Sequence, residues 1–187
     1  MQYDYSVFIG RFQPFHNGHK YVVEEGLKIS KKMLIFCGSA NQYRSIKNPW
    51  NYEERKLYIS KSFSGAIIKK LYISPLADHP SDAVWVKRVQ EKVKRISDNK
   101  TSNVAIIGHQ KDRSSYYLKL FPQYHMVQVE NFQNISATYI RQQIFTQSNR
   151  QEVNNKIQHL VPSGMLRYLL DFLGTTTYLK LKKCLEM

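Results

Sequence analysis

The chain predicts an α/β fold, a parallel sheet with helices on both faces, and three observations carry that expectation. Apolar runs of β-forming residues recur at 5–9, 33–37, 66–73, 103–107 and 125–129, and stretches of helical period lie between or after them at 19–30, 52–62, 82–96, 114–120 and 136–146. Such alternation builds parallel sheets, because a crossover helix is needed to bring the next strand back alongside the last. The run Val104-Ala105-Ile106-Ile107 has no polar alternation, as expected of a strand covered on both faces. Gly10, Gly38 and Gly108 each follow a strand, on the edge where such sheets hold their ligands.

The first strand runs directly into Gly10-Arg11-Phe12-Gln13-Pro14-Phe15-His16-Asn17-Gly18-His19. A helix start here offers free backbone N–H groups and the positive end of the helix dipole, both suited to phosphate. His16 and His19 lie within one turn and can face the same ligand, and Arg11 adds a planar cation that fits phosphate oxygens. On its own a His-x-x-His pair is an ordinary surface feature. No Cys or carboxylate close by completes a metal-binding set, and the strand–loop–helix setting with Arg11 favours a polyphosphate cradle.

The loop 38–50 after the second strand is rich in turn formers, and Asn48-Pro49 either starts the next helix or contacts a ligand; Glu53 and Glu54 would fall in that helix's first turn. The helix at 82–96 carries Trp85, which suits either an apolar core or a planar ligand. Ser136 is a strong N-cap for the helix at 136–146, with Thr138 and Arg141 in its opening turns. Residues 147–151 read as a polar connector, and a helix at 162–173 is bracketed by Pro162 and Gly174. The final segment, Thr175 to Met187, is left open between a further helix, packing on a neighbour and fraying. The expected organisation is a ligand-binding domain at 1–146 and a helical extension at 147–187 packing on it.

The chain has 187 residues, 42% of them hydrophobic, which suits one domain with a real core and argues against disorder. Cys37 and Cys184 are far apart in unlike contexts, so free thiols in a reducing compartment are expected. There is no signal-like opening and no apolar run long enough to span a membrane, so the expected location is cytoplasmic. Lys and Arg number 28 against 14 Asp and Glu, a formal charge of +14, enough to draw in polyanions. The lysines are scattered, so the charge does not choose between nucleic acid and small phosphorylated substrates.

The stretch at 10–19 resembles the H-x-G-H motif of the nucleotidyltransferase superfamily, in the form carried by archaeal-type nicotinamide mononucleotide adenylyltransferases. Ile135-Ser136-Ala137-Thr138-Tyr139-Ile140-Arg141 resembles the I-S-x-T-x-x-R motif of the same enzymes, and the two occur in the family's order. Gly108-His109-Gln110-Lys111-Asp112 is similar to the G-H-x-K-D stretch of bacterial members fused to a Nudix hydrolase; no Nudix box occurs in these residues. The resemblance covers roughly residues 5–145 and implies a Rossmann-like nucleotidyltransferase fold. It implies a reaction in which the 5′-phosphate of nicotinamide mononucleotide attacks the α-phosphorus of ATP, forming NAD and releasing pyrophosphate.

The same resemblance implies the roles of particular residues. His16, His19, Arg11 and Arg141 would serve the reacting phosphates. Gly10, Phe12, Gln13, Gly18, Gly108, His109, Lys111, Asp112, Phe132, Ile135, Ser136 and Thr138 would bind ATP. Ser39, Ala40, Arg44, Asn48 and Trp85 would hold the mononucleotide, with Lys47 also near phosphate. An indole face suits a cationic pyridinium ring, although Ala83 and Val84 depart from the family's usual residues before the tryptophan. Trp50 stands where the family loop ends in Asn-Pro-Phe. Mg²⁺ is expected, carried by substrate and water rather than by protein ligands.

ATP and the mononucleotide are the expected partners, with no nucleic acid, no membrane and a homo-oligomeric assembly. Two rivals are a related transferase with another acceptor, of phosphopantetheine or cytidylyltransferase type, and a non-catalytic basic nucleic-acid-binding module.

Overall fold

The computed structural model describes residues 1–97, 102–109 and 118–185. Its elements are β1 (Tyr3–Gly10), α1 (Asn17–Ile29), β2 (Ser30–Cys37), α2 (Tyr52–Lys61), α3 (Gly65–Ile68), β3 (Leu71–Pro75), α4 (Asp82–Ile96), β4 (Val104–Gly108), β5 (His125–Gln128), α5 (Ala137–Thr146), α6 (Arg150–Ile157), α7 (Ser163–Phe172) and α8 (Thr176–Lys183). The strands form one sheet in the order β3-β2-β1-β4-β5, every pair parallel. This is the α/β architecture the alternation predicts.

Strand periodicity divides the core into two layers. Val7, Ile9, Leu34, Phe36, Val104 and Ile106 point to one face, where Val89 and Val93 of α4 and the buried Leu118 and Phe121 cover them. Phe8, Met33, Ile35, Cys37 and Ile107 point to the other face, under residues of α1, α2 and the C-terminal helices. Each side chain changes face at every step because the pleat has a period of two. Among the described residues no helix is long and apolar enough to cross a membrane.

The sequence reading misplaces several boundaries. The apolar run at 66–73 begins as α3, with the amides of Ile67 and Ile68 both bonded to Ser64 O at 3.0 Å, and turns to strand only at Leu71. Short apolar runs suit buried helix and strand alike. Helix α2 starts at Tyr52, where the helical period at 52–62 places it, and Asn48-Pro49 does not begin it, because Asn51 and Glu54 form a reciprocal capping box. Likewise the expected connector 147–151 already contains the start of α6, capped by Asn149 through the amide of Glu152. Most of the helix expected at 114–120 lies outside the described residues, and Leu118–Leu120 form a tight turn.

The C-terminal segment docks by small residues and rings. A Cβ on Gly164 would stand 2.0 Å from Lys61 O, so α7 approaches the end of α2 at a distance only glycine permits. Tyr178 of α8 is buried, stacks on Phe145 at 5.3 Å and donates its hydroxyl to Ile144 O.

Candidate active site

A cavity of about 710 Å³ opens over the C-terminal ends of β1 and β4, where the strand order reverses. Two helix starts meet on it. His16 is the N-cap of α1 and Ser136 is the N-cap of α5, and both line the cavity.

The cap of α1 is built from two histidines. His16 Nδ1 accepts the amide of His19 at 3.4 Å, and His19 Nδ1 accepts the amide of His16 at 3.3 Å. The rings stack with centroids 3.6 Å apart. A ring nitrogen that accepts a main-chain N–H carries no proton, so the Nε2 atoms hold the donating hydrogens. Phe12 and Phe15 pack around His19 at 4.9 and 5.6 Å, which fixes its ring. Gly18 lines the cavity, and a Cβ there would crowd the His16 ring at 3.1 Å.

The β1–α1 loop is tied to distant parts of the chain. Phe12 has φ of 51° and is buried, with its ring where a Cβ on Gly10 would stand, at 2.8 Å. Gly10 thus serves close approach; its φ is not positive. Gln13 exchanges two hydrogen bonds with the backbone of Trp50, at 2.8 and 3.1 Å. Its carbonyl accepts Arg141 Nη1 at 2.6 Å, and Arg141 Nη2 donates to Thr138 at 3.1 Å. The two motifs therefore touch directly.

Arg141 is 6% exposed and lines the cavity with Arg11. Burial, and then the charge of Arg11, lowers its pKa. Among the described residues neither arginine forms an ion pair with a carboxylate. Two like charges gathered at one partly dry site are costly until an anion joins them.

Of the other residues named from the sequence, Gly10, Ser39, Trp85, His109, Phe132, Ile135 and Thr138 also line this cavity. Trp85 is half-buried and tilts against Phe121 at 5.9 Å. Several others are placed away from it. The Phe12 and Gln13 side chains lie beneath the loop and hold its shape. Gly108 backs onto Leu118, which a Cβ would meet at 3.2 Å. Ala40 lines a separate cavity. Arg44 is engaged by Pro49 O and by Glu54 at 2.9 Å, and Asn48 closes a turn with Ser45. Lys111 and Asp112 lie outside the described residues.

Three features are not among the site residues named from the sequence. Arg55 is 1% exposed, and its Nη1 donates to Arg11 O and Gly38 O, both at 2.7 Å; burial lowers its pKa. It pins the ends of β1 and β2, and nothing in its helix pattern marks it as buried. Asp78 lines the cavity and accepts the amide of Ser39 at 3.1 Å. Glu130 and Asn131, just beyond β5, complete the wall near Phe132. Ser39, Gln133 and Asn134 share the positive φ of Phe12, so left-handed residues cluster on the loops of this sheet edge.

Residues 7–143 match the cytidylyltransferase-like family. The chain is 37% identical over 183 residues to a nicotinamide/nicotinic acid mononucleotide adenylyltransferase of Acinetobacter baylyi, covering 97% of this chain and 93% of that one. It is 26% identical over 171 residues to a nicotinamide-nucleotide adenylyltransferase of Saccharolobus solfataricus, covering 90% and 91%. A crystal structure from Francisella tularensis, a bifunctional NMN adenylyltransferase/ADP ribose pyrophosphatase complexed with AMP and Mn ion, superposes with a TM-score of 0.83 at 34% identity. That match covers 97% of this chain and 52% of the bifunctional protein, so the chain spans about half of that relative. With matches of this extent at both levels, the chain belongs to the cytidylyltransferase-like family, in its nicotinamide mononucleotide adenylyltransferase branch.

Proposed function

We infer that the cavity joins nicotinamide mononucleotide to the adenylyl group of ATP. The carrying observation is the bond from Arg141 to Gln13 O, which gathers both helix starts and two arginines, neither ion-paired to a carboxylate among the described residues, around one space. The mononucleotide's 5′-phosphate has a second pKa near about 6 and is mostly dianionic at neutral pH, so no general base is required. One of its oxygens forms a bond to the α-phosphorus as the bond to the β-phosphate oxygen breaks, and pyrophosphate leaves with its electron pair. The protein's task is to bring two anions together and to stabilise the charge on the phosphoryl oxygens.

In this reading the Nε2–H groups of His16 and His19 donate to the α- and β-phosphates, and Arg11 and Arg141 hold the triphosphate. The amides at the start of α5, with Thr138, take the β- and γ-phosphates. His109, Phe132 and Ile135 face the adenosine, as would Lys111 and Asp112. Ser39 and Trp85 receive the mononucleotide, the indole lying against the pyridinium ring.

Among the described residues there is no group of three or more His, Cys, Asp or Glu able to hold a metal ion. A Mg²⁺ ion, which keeps several waters and binds through phosphates, suits such a site when it arrives with ATP. Once bound it would offset the charge of the departing pyrophosphate.

The test is pyrophosphate release from ATP against a panel of acceptors: nicotinamide mononucleotide, nicotinate mononucleotide, phosphopantetheine and cytidylyltransferase substrates. Release with a pyridine mononucleotide, yielding the matching dinucleotide, is expected. Release with another acceptor alone, or none with any, overturns the reading.

A further inference from the structure

A second cavity, of about 490 Å³, lies behind the wall that bounds the first. It is lined by Arg88, Lys92 and Arg95 of α4 and by residues at and just past the ends of β2 and β3, including Asn41 and Ala77. The three cations fall at i, i+4 and i+7 and so share one helix face. Arg88 and Lys92 are half-buried, and Lys92 Nζ reaches Ser74 Oγ at 3.2 Å. Glu91 also lines the cavity, yet none of the three cations forms an ion pair among the described residues. A helix C-terminus favours cations, which accounts for Arg95 in the last turn of α4. It does not account for Arg88 and Lys92, which stand further back and face a concave space. Burial, and then the charge of Arg95, lowers the pKa of Lys92, as happens where like charges crowd.

We propose that this cavity is a second oxyanion site, taking the phosphate group of a small phosphorylated molecule, distinct from the ATP and mononucleotide positions. Three cations lining one cavity suit a phosphate's oxygens, and a guanidinium such as that of Arg88 can engage two oxygens at once. Half-buried cations in a concavity suit a small ligand better than a duplex backbone, which is met by exposed surface charge.

The wall between the cavities gives such an occupant a route to the reaction. Asn41 clasps Asp78, donating to its carbonyl at 3.3 Å and accepting its amide at 2.8 Å. Asp78 in turn holds Ser39, on the other side of the wall. An anion beside Asn41 is therefore placed to shift the Ser39 loop and the affinity for the acceptor.

The site is tested by ¹H–¹⁵N NMR of the full chain, titrated with inorganic phosphate and separately with glycerol 3-phosphate, against sodium chloride at matched ionic strength. This arm does not depend on which reaction the first cavity performs. Saturable shifts are expected at Asn41, Ala77 and the amides of α4 with both probes. In R88Q/K92Q those shifts should need at least about tenfold more ligand, while phosphate shifts at residues 16–19 and 136–138 persist and show the fold intact. Shifts confined to 16–19 and 136–138, shifts reproduced by chloride, or shifts unchanged in R88Q/K92Q overturn the site. Binding of inorganic phosphate alone overturns the organic ligand. In the pyrophosphate assay, glycerol 3-phosphate should change the acceptor's KM by about fivefold in the wild type and not in R88Q/K92Q. An unchanged KM in the wild type overturns the coupling.

Discussion

The two helix starts that meet over the sheet solve the same physical problem with different parts. Both leave main-chain N–H groups without helical partners. At α5 a serine accepts one of them, at 3.4 Å, in the ordinary way, and the cation arrives separately from Arg141 one turn along. At α1 capping and the proposed chemistry fall on the same side chains. The same imidazoles that accept the amides through Nδ1 present Nε2 as donors, and phenylalanines hold one of the rings. A serine cap can be lost at the cost of stability, whereas in the proposed reaction the histidine cap cannot be altered without also removing the Nε2 donors offered to the phosphates.

The sharpest way to break this contrast is to keep the α1 cap and remove the ring. Asparagine is a strong N-cap, so His16→Asn should leave the urea midpoint almost unchanged while lowering pyrophosphate release at least about a hundredfold, the usual effect of losing a donor aimed at transition-state charge. His19→Ala should match it in rate. Turnover near wild type in either variant would show that the cap is only a cap. Arg141→Ala should also cost about a hundredfold, with some loss of stability because Gln13 O loses its donor; a purely thermal effect would assign Arg141 to loop anchoring alone.

Arg55→Met should act differently, since Arg55 supports the loops from beneath the cavity. Leaving Arg11 O and Gly38 O without their donor should cost about 3 kcal/mol in urea unfolding. The rate loss should be smaller, near tenfold, as Arg11 and Ser39 loosen. The mildest change is Ser136→Ala. It should lose about 1 kcal/mol and less than tenfold in rate; a drop as large as that of His19→Ala would erase the distinction between the two helix starts.

What could be read along the chain was set by local rules. The period-two and period-3.6 patterns locate most strands and helices, and the segments 10–19 and 135–141, both motif-bearing in the sequence, line one cavity in the fold. Local capping is legible too: Asn51 with Glu54, and Asn149 with Glu152, are N-cap pairs at the starts of α2 and α6.

Other features required the chain to fold back on itself. The glycines after the strands mark the sheet edge in the sequence, but only the fold shows that the left-handed positions there fall on Phe12 and Ser39 and that Gly10 is small to admit a ring. Arg44 is engaged by Pro49 O and Glu54, and the buried Asn48 Oδ1 has no hydrogen-bond partner among the described residues, whereas Arg55, silent in the pattern of α2, carries the ends of two strands. Sequence fixes what each short segment prefers, because propensity and periodicity act over a few residues. Which buried cation meets which carbonyl, and which charges share a cavity, is decided by packing between segments as far apart as Gln13 and Arg141.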